Sequence, residues 1–355
     1  MTPLRNYAPV RTWLWVVALM IAAMVIVGGA TRLTESGLSI TEWDPVTGVL
    51  PPIGAEQWQA EFGKYRQTTQ YQELNHGMSL GEFQYIYYWE WAHRLLGRTI
   101  GLVFALPLLF FWLRGYVDRS LGKKLLVVFL LGGVQGAIGW WMVVSGLAGR
   151  VSVAPYRLAI HLTFAFFLFA TLVWIATSLR DRLDPRGEPG GTTGAWIVLG
   201  VAFLQVFLGA IVAGLRAGTS FNTWPLMDGA FIPPTASLGV LEPLWRNLFE
   251  NPMTAQFAHR MVAYALLAVA GLYAFSQRGC GIREVPSAGV IFLAVAAQAM
   301  LGILTLINVV PIELALLHQF GALVVVGLAT AHLQGRVRGR ASQPASAVAV
   351  VSGQG

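Results

Sequence analysis

The chain contains one cysteine, Cys280. An internal disulfide is excluded, and so is any metal site built from several thiolates. Charge is also scarce. Only 12% of the 355 residues are charged, 55% are hydrophobic and the mean hydropathy is +0.60, where a soluble domain carries about 25% charged residues. The solvent implied is a lipid bilayer. The net charge of +7 is scattered among connecting segments and forms no basic domain, so no nucleic-acid partner is expected. The first apolar run, Trp13 to Ala30, follows a short basic start but has no A-x-A cleavage site, and no Arg/Ser-rich transit segment precedes it. An uncleaved bacterial protein is expected.

Long apolar runs are abundant. A bilayer-spanning helix needs about 20 apolar residues. Eight segments qualify, at 12–31, 84–112, 122–145, 156–179, 194–215, 256–276, 286–308 and 312–333. An even number puts both termini on one side. Most Lys and Arg lie at the termini and in the alternate connections, among them Arg5, Arg11, Arg114, Arg119, Lys123, Lys124, Arg336, Arg338 and Arg340. The positive-inside rule makes that side the cytoplasm, here of a bacterial inner membrane. Two long connections, 32–83 and 216–255, then face outward. The Ala/Ser/Gln-rich tail, 341–355, is expected to be disordered.

The sequence also repeats itself. VGGATRL (27–33) precedes Trp43 and a Pro-Pro pair at 51–52, and LGAIVAGLRAG (208–218) precedes Trp224 and a Pro-Pro pair at 233–234. EWAHR (90–94) matches QFAHR (256–260), GVQGAIGWWMV (133–143) resembles AAQAMLGILTL (296–306), and YRLAIHLTFAF (156–166) matches IELALLHQFGA (312–322). Both halves enter from the same side, so the repeat is parallel. The fold expected is all-α: a polytopic membrane protein of eight helices in two four-helix bundles, 1–183 and 184–340, with one site per bundle.

Four of the six histidines occupy repeat-equivalent places: His93 and His161, then His259 and His318. Each lies near the start of an even-numbered helix, within about two turns of the outer boundary. An ionisable group inside a membrane helix is costly and is by default a functional candidate. Two facing imidazoles suit the axial positions of a haem better than zinc, which wants three or four protein ligands. Gly132, Gly133, Gly136, Gly139, Gly209, Gly214 and Gly302 either open a slot for such a group or let helices approach closely; Gly132-x-x-x-Gly136 also suits a contact between subunits. Arg94 and Arg260, beside the histidines, either pair with haem propionates or reach to the interface. Arg98 is the lesser candidate. His76, in the first long connection, and His332, about 21 Å deeper than His318 along its helix, are expected not to be ligands.

The halves differ at one position. Glu90 precedes His93 by three residues, on the same helical face, whereas Gln256 stands before His259. A carboxylate in one copy only suggests one chemical site and one electron-transfer or structural site. The other reading of Glu90 is an interfacial acid bonded within the belt of Tyr85, Tyr87, Tyr88, Trp89 and Trp91.

The series GGATRL, SITEW with its Pro-Pro pair, WEWAHR, QGAIGWWMV and IHL, continued by LGAIVAGLRAG, NTWP, QFAHR and LLHQ, resembles the heme A synthases over residues 13–333. It is similar to the subgroup without a cysteine pair in the first outer loop, since no Cys occurs between Arg32 and Phe83. The resemblance implies an oxidoreductase that converts the ring methyl of heme O to a formyl group by successive hydroxylations, giving heme A for cytochrome oxidase. It implies a heme b on His259 and His318, a substrate haem at His93 and His161, and a functional role for Glu90. Heme O and heme A, membrane lipid, a heme O synthase, cytochrome oxidase assembly factors, an electron-transfer partner and a second copy of the chain are the partners to be expected. The residues alone also admit a dihaem b-type electron carrier or, from the parallel repeat, a transporter. A carrier spanning both leaflets commonly places two histidines 13–14 residues apart on one helix. Only His318 and His332 have that spacing, and they have no repeat partner.

Overall fold

The computed structural model describes residues 7–44, 47–180, 185–186, 192–278, 281–282 and 286–341. Cys280, Arg5 and the tail beyond Ala341 lie outside them, and so does the disorder expected of that tail. Eight helices are long and apolar enough to cross a membrane: α1 (Ala8–Leu33), α2 (Leu80–Leu113), α3 (Arg119–Leu147), α4 (Pro155–Ser178), α5 (Thr193–Leu215), α6 (Pro252–Ser276), α7 (Ala288–Ile307) and α8 (Ile312–Ala341). Their outward faces carry Leu102, Leu106, Leu109, Val127, Leu130, Ile197, Leu204, Leu272, Leu293 and Met300, all exposed. In water such faces would be costly; in lipid they are the required surface. The protein is an all-α polytopic membrane protein. One departure among the described residues is a two-residue antiparallel pairing of 185–186 with 281–282, which joins the α4–α5 and α6–α7 connections.

Local chemistry sets the helix starts. Ser79 and Glu82 form a capping box at α2, Asp118 caps α3 through the Leu121 amide (2.8 Å), and Asn251 caps α6 through that of Met253 (3.0 Å). Pro155 and Pro252 occupy first-turn positions that need no amide hydrogen. The capping box lies outside the apolar run, so α2 begins four residues before the expected position 84.

Within the first half, α1 packs on α2, α2 on α3, α3 on α4 and α4 on α1; within the second, α5 on α6, α6 on α7, α7 on α8 and α8 on α5. Each half is a closed ring of four helices. The rings meet through α1 and α4 on one side and α5 and α8 on the other, along a continuous apolar core that includes Phe166, Leu172, Ile211 and Leu323. Polar contacts cross this seam near the face bearing the long connections. Arg32 donates to the carbonyls of Ala213 (3.1 Å) and Gly214 (3.2 Å) in the last turn of α5. Arg216, in turn, pairs with Glu35 just beyond α1. Gln319 of α8 donates to the Val25 carbonyl of α1 (3.0 Å) with its amide packed on Gly29.

The long connections, read from sequence as loops, contain short helices. Ala55–Tyr65 and Thr69–Glu73 cover the first bundle, with Trp58, Phe62, Tyr65 and Tyr71 packed on Phe83 and Tyr87 of α2. Burial raises the Tyr65 phenol above its ordinary pKa, and hydrogen bonds from Lys64 to Glu42 and Glu61 raise that of the lysine. Over the second bundle lie Ala217–Ser220, Thr235–Leu238 and Asn247–Glu250, tied down by Asn247 amide bonds to Leu241 and Leu244.

At the seam, a Cβ on Gly214 would lie 2.9 Å from the Cα of Pro155. Backbone cannot yield as a side chain can, so Gly214→Ala is expected to cost about 1–3 kcal/mol. A thermal melt of the detergent-solubilised protein, with a lowered midpoint and unchanged helix content, checks this.

Candidate functional site

The four histidines share one environment, built by the odd-numbered helices. A Cβ on Gly139 of α3 would lie 2.9 Å from His161 Cε1; Gly209 of α5 stands in the same relation to His259, at 2.9 Å, and Gly302 of α7 to His318, at 2.9 Å. Gly28 of α1 lies against His93, with its Cβ position 3.0 Å from Nε2. Each imidazole therefore rests on helix backbone where a side chain is missing. All four rings are half-buried, neither sealed in the core nor turned fully outward. The glycines stand five to eight residues before the ends of their helices, so the four sites share a depth near the long-connection face. His93 reaches that depth thirteen residues into α2, about 20 Å along the axis, because α2 starts early. His161 lies within electrostatic reach of His93, and His259 within that of His318, so the structure brings them together as two pairs, one per ring.

One turn before the glycine, three of the four odd helices carry glutamine: Gln135, Gln205 and Gln298; α1 carries Met24. Gln135 donates to the His161 carbonyl (3.0 Å) and Gln298 to that of His318 (2.7 Å). In the second ring the amides also reach the imidazoles, Gln205 at His259 Nε2 (3.3 Å) and Gln298 at His318 Nδ1 (3.1 Å). In the first ring, among the described residues, neither His93 nor His161 has a side-chain hydrogen bond to its ring. This glutamine-x-x-x-glycine pattern escaped the sequence reading, although its threefold recurrence one turn before the repeat glycines was a visible signal.

The donor sets suit a haem. The Nδ1 atoms of His161 and His259 are buried without a partner, and buried polar atoms normally have one. Among the described residues no group of three or more His, Cys, Asp or Glu gathers. A protein-only tetrahedral site is thus not formed, whereas a pair of imidazoles is what a group bringing its own four equatorial nitrogens requires.

Glu90 is 3% exposed and fully engaged. One carboxylate oxygen accepts from Ser39 Oγ (2.8 Å) and the Ile40 amide (2.9 Å), the other from Arg94 Nε (3.1 Å) and Nη2 (2.6 Å). Arg94 continues to the carbonyls of Ile40 (2.9 Å) and Glu42 (2.8 Å). Acid and arginine together clamp the strap 34–44 over the top of the first ring. Leu38 seals the strap against Gly146, and Trp43 packs tilted against Trp140, ring centroids 4.8 Å apart. None of the belt aromatics bonds Glu90; Trp91 instead donates to Val49 (3.2 Å), and Arg98 to Asp44 (2.7 Å). The sequence reading missed Ser39 and Ile40, because contacts fifty residues away leave no local pattern.

The second ring reproduces this clamp without its acid. Arg260 donates to the carbonyls of Thr223 (2.5 Å), Phe221 (3.3 Å) and Leu226 (3.4 Å), and its Nε is buried without a partner. Among the described residues it has no carboxylate partner. Gln256, 4% exposed, leaves its side-chain oxygen unpaired. A buried guanidinium of this kind has spare capacity for an anion.

The remaining candidates lie elsewhere. Gly132, Gly133 and Gly136 are exposed and open, so they neither line a slot nor pack helices within the chain, and Gly214 packs on Pro155. His76 is exposed beside Tyr71. His332 is buried, one ring nitrogen on the Tyr273 hydroxyl (2.8 Å) and the other on the Pro286 carbonyl (2.7 Å).

A family model described as cytochrome oxidase assembly protein (COX15-CtaA) matches residues 11–330. Among curated proteins, the heme A synthase of Mesorhizobium japonicum is 53% identical over 94% of this chain and 92% of its own length. That of Azorhizobium caulinodans is 52% identical over 92% and 94%, and that of Beijerinckia indica 51% identical over 95% of each.

The glycine seats make a direct prediction. Gly302→Ala crowds His318 and should weaken whatever haem signal depends on the second ring's imidazole pair while sparing the first; Gly28→Ala should do the reverse. Low-temperature electron paramagnetic resonance of each variant reads the two signals separately.

Proposed function

This chain belongs to the heme A synthase family, and from that premise we propose that it oxidises the ring methyl of heme O to the formyl group of heme A in the first ring, with a heme b resident in the second. The boundaries proposed for the two units are 1–183 and 184–340. The observation that carries the division is the asymmetry of otherwise equal imidazole pairs: Glu90 with Arg94 beside one, Gln256 with an uncompensated Arg260 beside the other.

His93 and His161 are proposed as the iron ligands of the substrate haem, His259 and His318 as those of heme b. The haem supplies the iron and the conjugated ring whose methyl group is oxidised. The chain orients that ring and controls its surroundings. The strap 34–44, clamped by Glu90 and Arg94, closes the first ring to bulk water. The Glu90 carboxylate stands one turn from His93 with both oxygens engaged by Ser39, Ile40 and Arg94, so its part is to hold the strap and the polar wall of the first ring in place beside the imidazole. Arg94 acts mainly through Glu90, since its donors are spent on the acid and the strap. Arg260, with its unpaired donor, suits a propionate of heme b.

The charge bias of the connections supports both termini in the cytoplasm of a bacterial inner membrane, with the haem sites toward the outer face. Heme O then arrives through lipid from a neighbouring heme O synthase. Heme A leaves toward cytochrome oxidase with its assembly factors, and an electron-transfer partner balances the oxidation. The open Gly132 and Gly136 on α3 offer a close-approach surface to a second copy of the chain.

Glu90→Gln should retain haem in both rings while heme A formation falls by about 10–100-fold. His259→Ala should lose the heme b spectrum. A pyridine hemochrome spectrum with chromatography of extracted haems reads both. Heme b accompanied by heme O and heme A supports the synthase; heme b alone points to an electron carrier; wild-type heme A output from Glu90→Gln removes that residue from the chemistry.

A further inference from the structure

Three of the four imidazoles lie on their glycines alike and one does not. His161, His259 and His318 lay the same edge on their glycines: the Cβ position is 2.9 Å from Cε1 and 3.5 Å from Nδ1 at each of Gly139, Gly209 and Gly302. Each has a glutamine one turn before that glycine, bonded to its carbonyl or its ring. His93 instead turns Nε2 and Cδ2 toward Gly28, at 3.0 and 3.3 Å, and the glutamine position on α1 is Met24. The Met24 methyl reaches α2 one turn beyond His93, 3.0 Å from the Cβ position of Gly97. A thioether is an apolar, flexible filler with no hydrogen to donate. His93 therefore presents a different edge to its glycine, and the α1 position that would carry the glutamine amide holds a thioether instead.

We infer that His93 is the releasable member of the four, and that Met24 is the positioning residue that keeps it so. The inference rests on the reading that both rings hold haem. It supplies what that reading needs: the first ring must admit one haem and let go of another at every turnover, while the second must keep its own. Release breaks the iron–imidazole bond at His93 and involves no redox change. His161, which lies on Gly139 as His259 and His318 lie on their glycines and whose helix turn is tied by Gln135, stays as the retained ligand.

Carbon monoxide tests this on the full-length, reduced, two-haem protein, since it enters only where an axial imidazole leaves. In the wild type it should bind the first-ring haem and leave the second-ring haem low-spin. Met24→Gln provides the missing donor. With a hydrogen bond worth about 0.5–1.5 kcal/mol, carbon monoxide binding and haem transfer to apomyoglobin should slow roughly two- to tenfold. Met24→Leu, apolar and of similar volume, should keep the wild-type rates. The converse change, Gln205→Met, should make the second-ring haem reactive to carbon monoxide. Wild-type rates in Met24→Gln, or carbon monoxide binding confined to the second ring of the wild type, would overturn the inference. If haem content is unaffected by His93→Ala and by His161→Ala, the parent reading falls instead.

Discussion

An imidazole inside a lipid-embedded bundle needs space for its ring and an occupation for its nitrogens. The first is met by a helix glycine that lets the ring lie on backbone, once per pair of adjacent helices; the second, in three of the four pairs, by a glutamine one turn away. The placement of the glycine fixes much else. It sets the depth of the four sites and leaves paired ring nitrogens for a metal. It also requires α1, α3, α5 and α7 to approach their partners closely near the long-connection face. The lipid-facing surface of each helix is free to vary, provided it stays apolar.

On this shared frame the two rings have diverged in charge and in restraint. In the first, Glu90 and Arg94 neutralise each other and spend their remaining bonds on a strap that closes the site. In the second, loss of the acid leaves Arg260 buried with carbonyl partners only, and glutamines hold both imidazoles. A ring with tethered ligands and a spare cation suits a permanent anionic guest. One with loosely held ligands and a charge-balanced lid suits a guest that comes and goes.

Much of this could be read from the sequence, because membrane insertion turns composition into geometry. Eight apolar runs correspond to eight helices, and the repeat alone pairs His93 with His259 and Glu90 with Gln256. What escaped was set by distance or by ambiguity. The strap contacts of Glu90 join residues fifty positions apart. The early start of α2 depends on Ser79 and Glu82, outside the apolar run. Glycine in a membrane helix has two meanings, and the sequence could not separate Gly139, which seats a ring, from Gly136, which seats nothing within the chain. The short helices of the long connections carry mixed aromatic and polar residues and leave no long periodic signal.

The crossed arginines at the seam bear on how the halves depend on each other. Arg32 adds donors to the last-turn carbonyls of α5, and Arg216 pairs with an acid just past α1. Each half thus sends one cation to the end of the other's first helix. A solitary half would leave those groups bare. The long-connection face is therefore where the two bundles lock together, and a change that breaks either arginine contact loosens both halves at once.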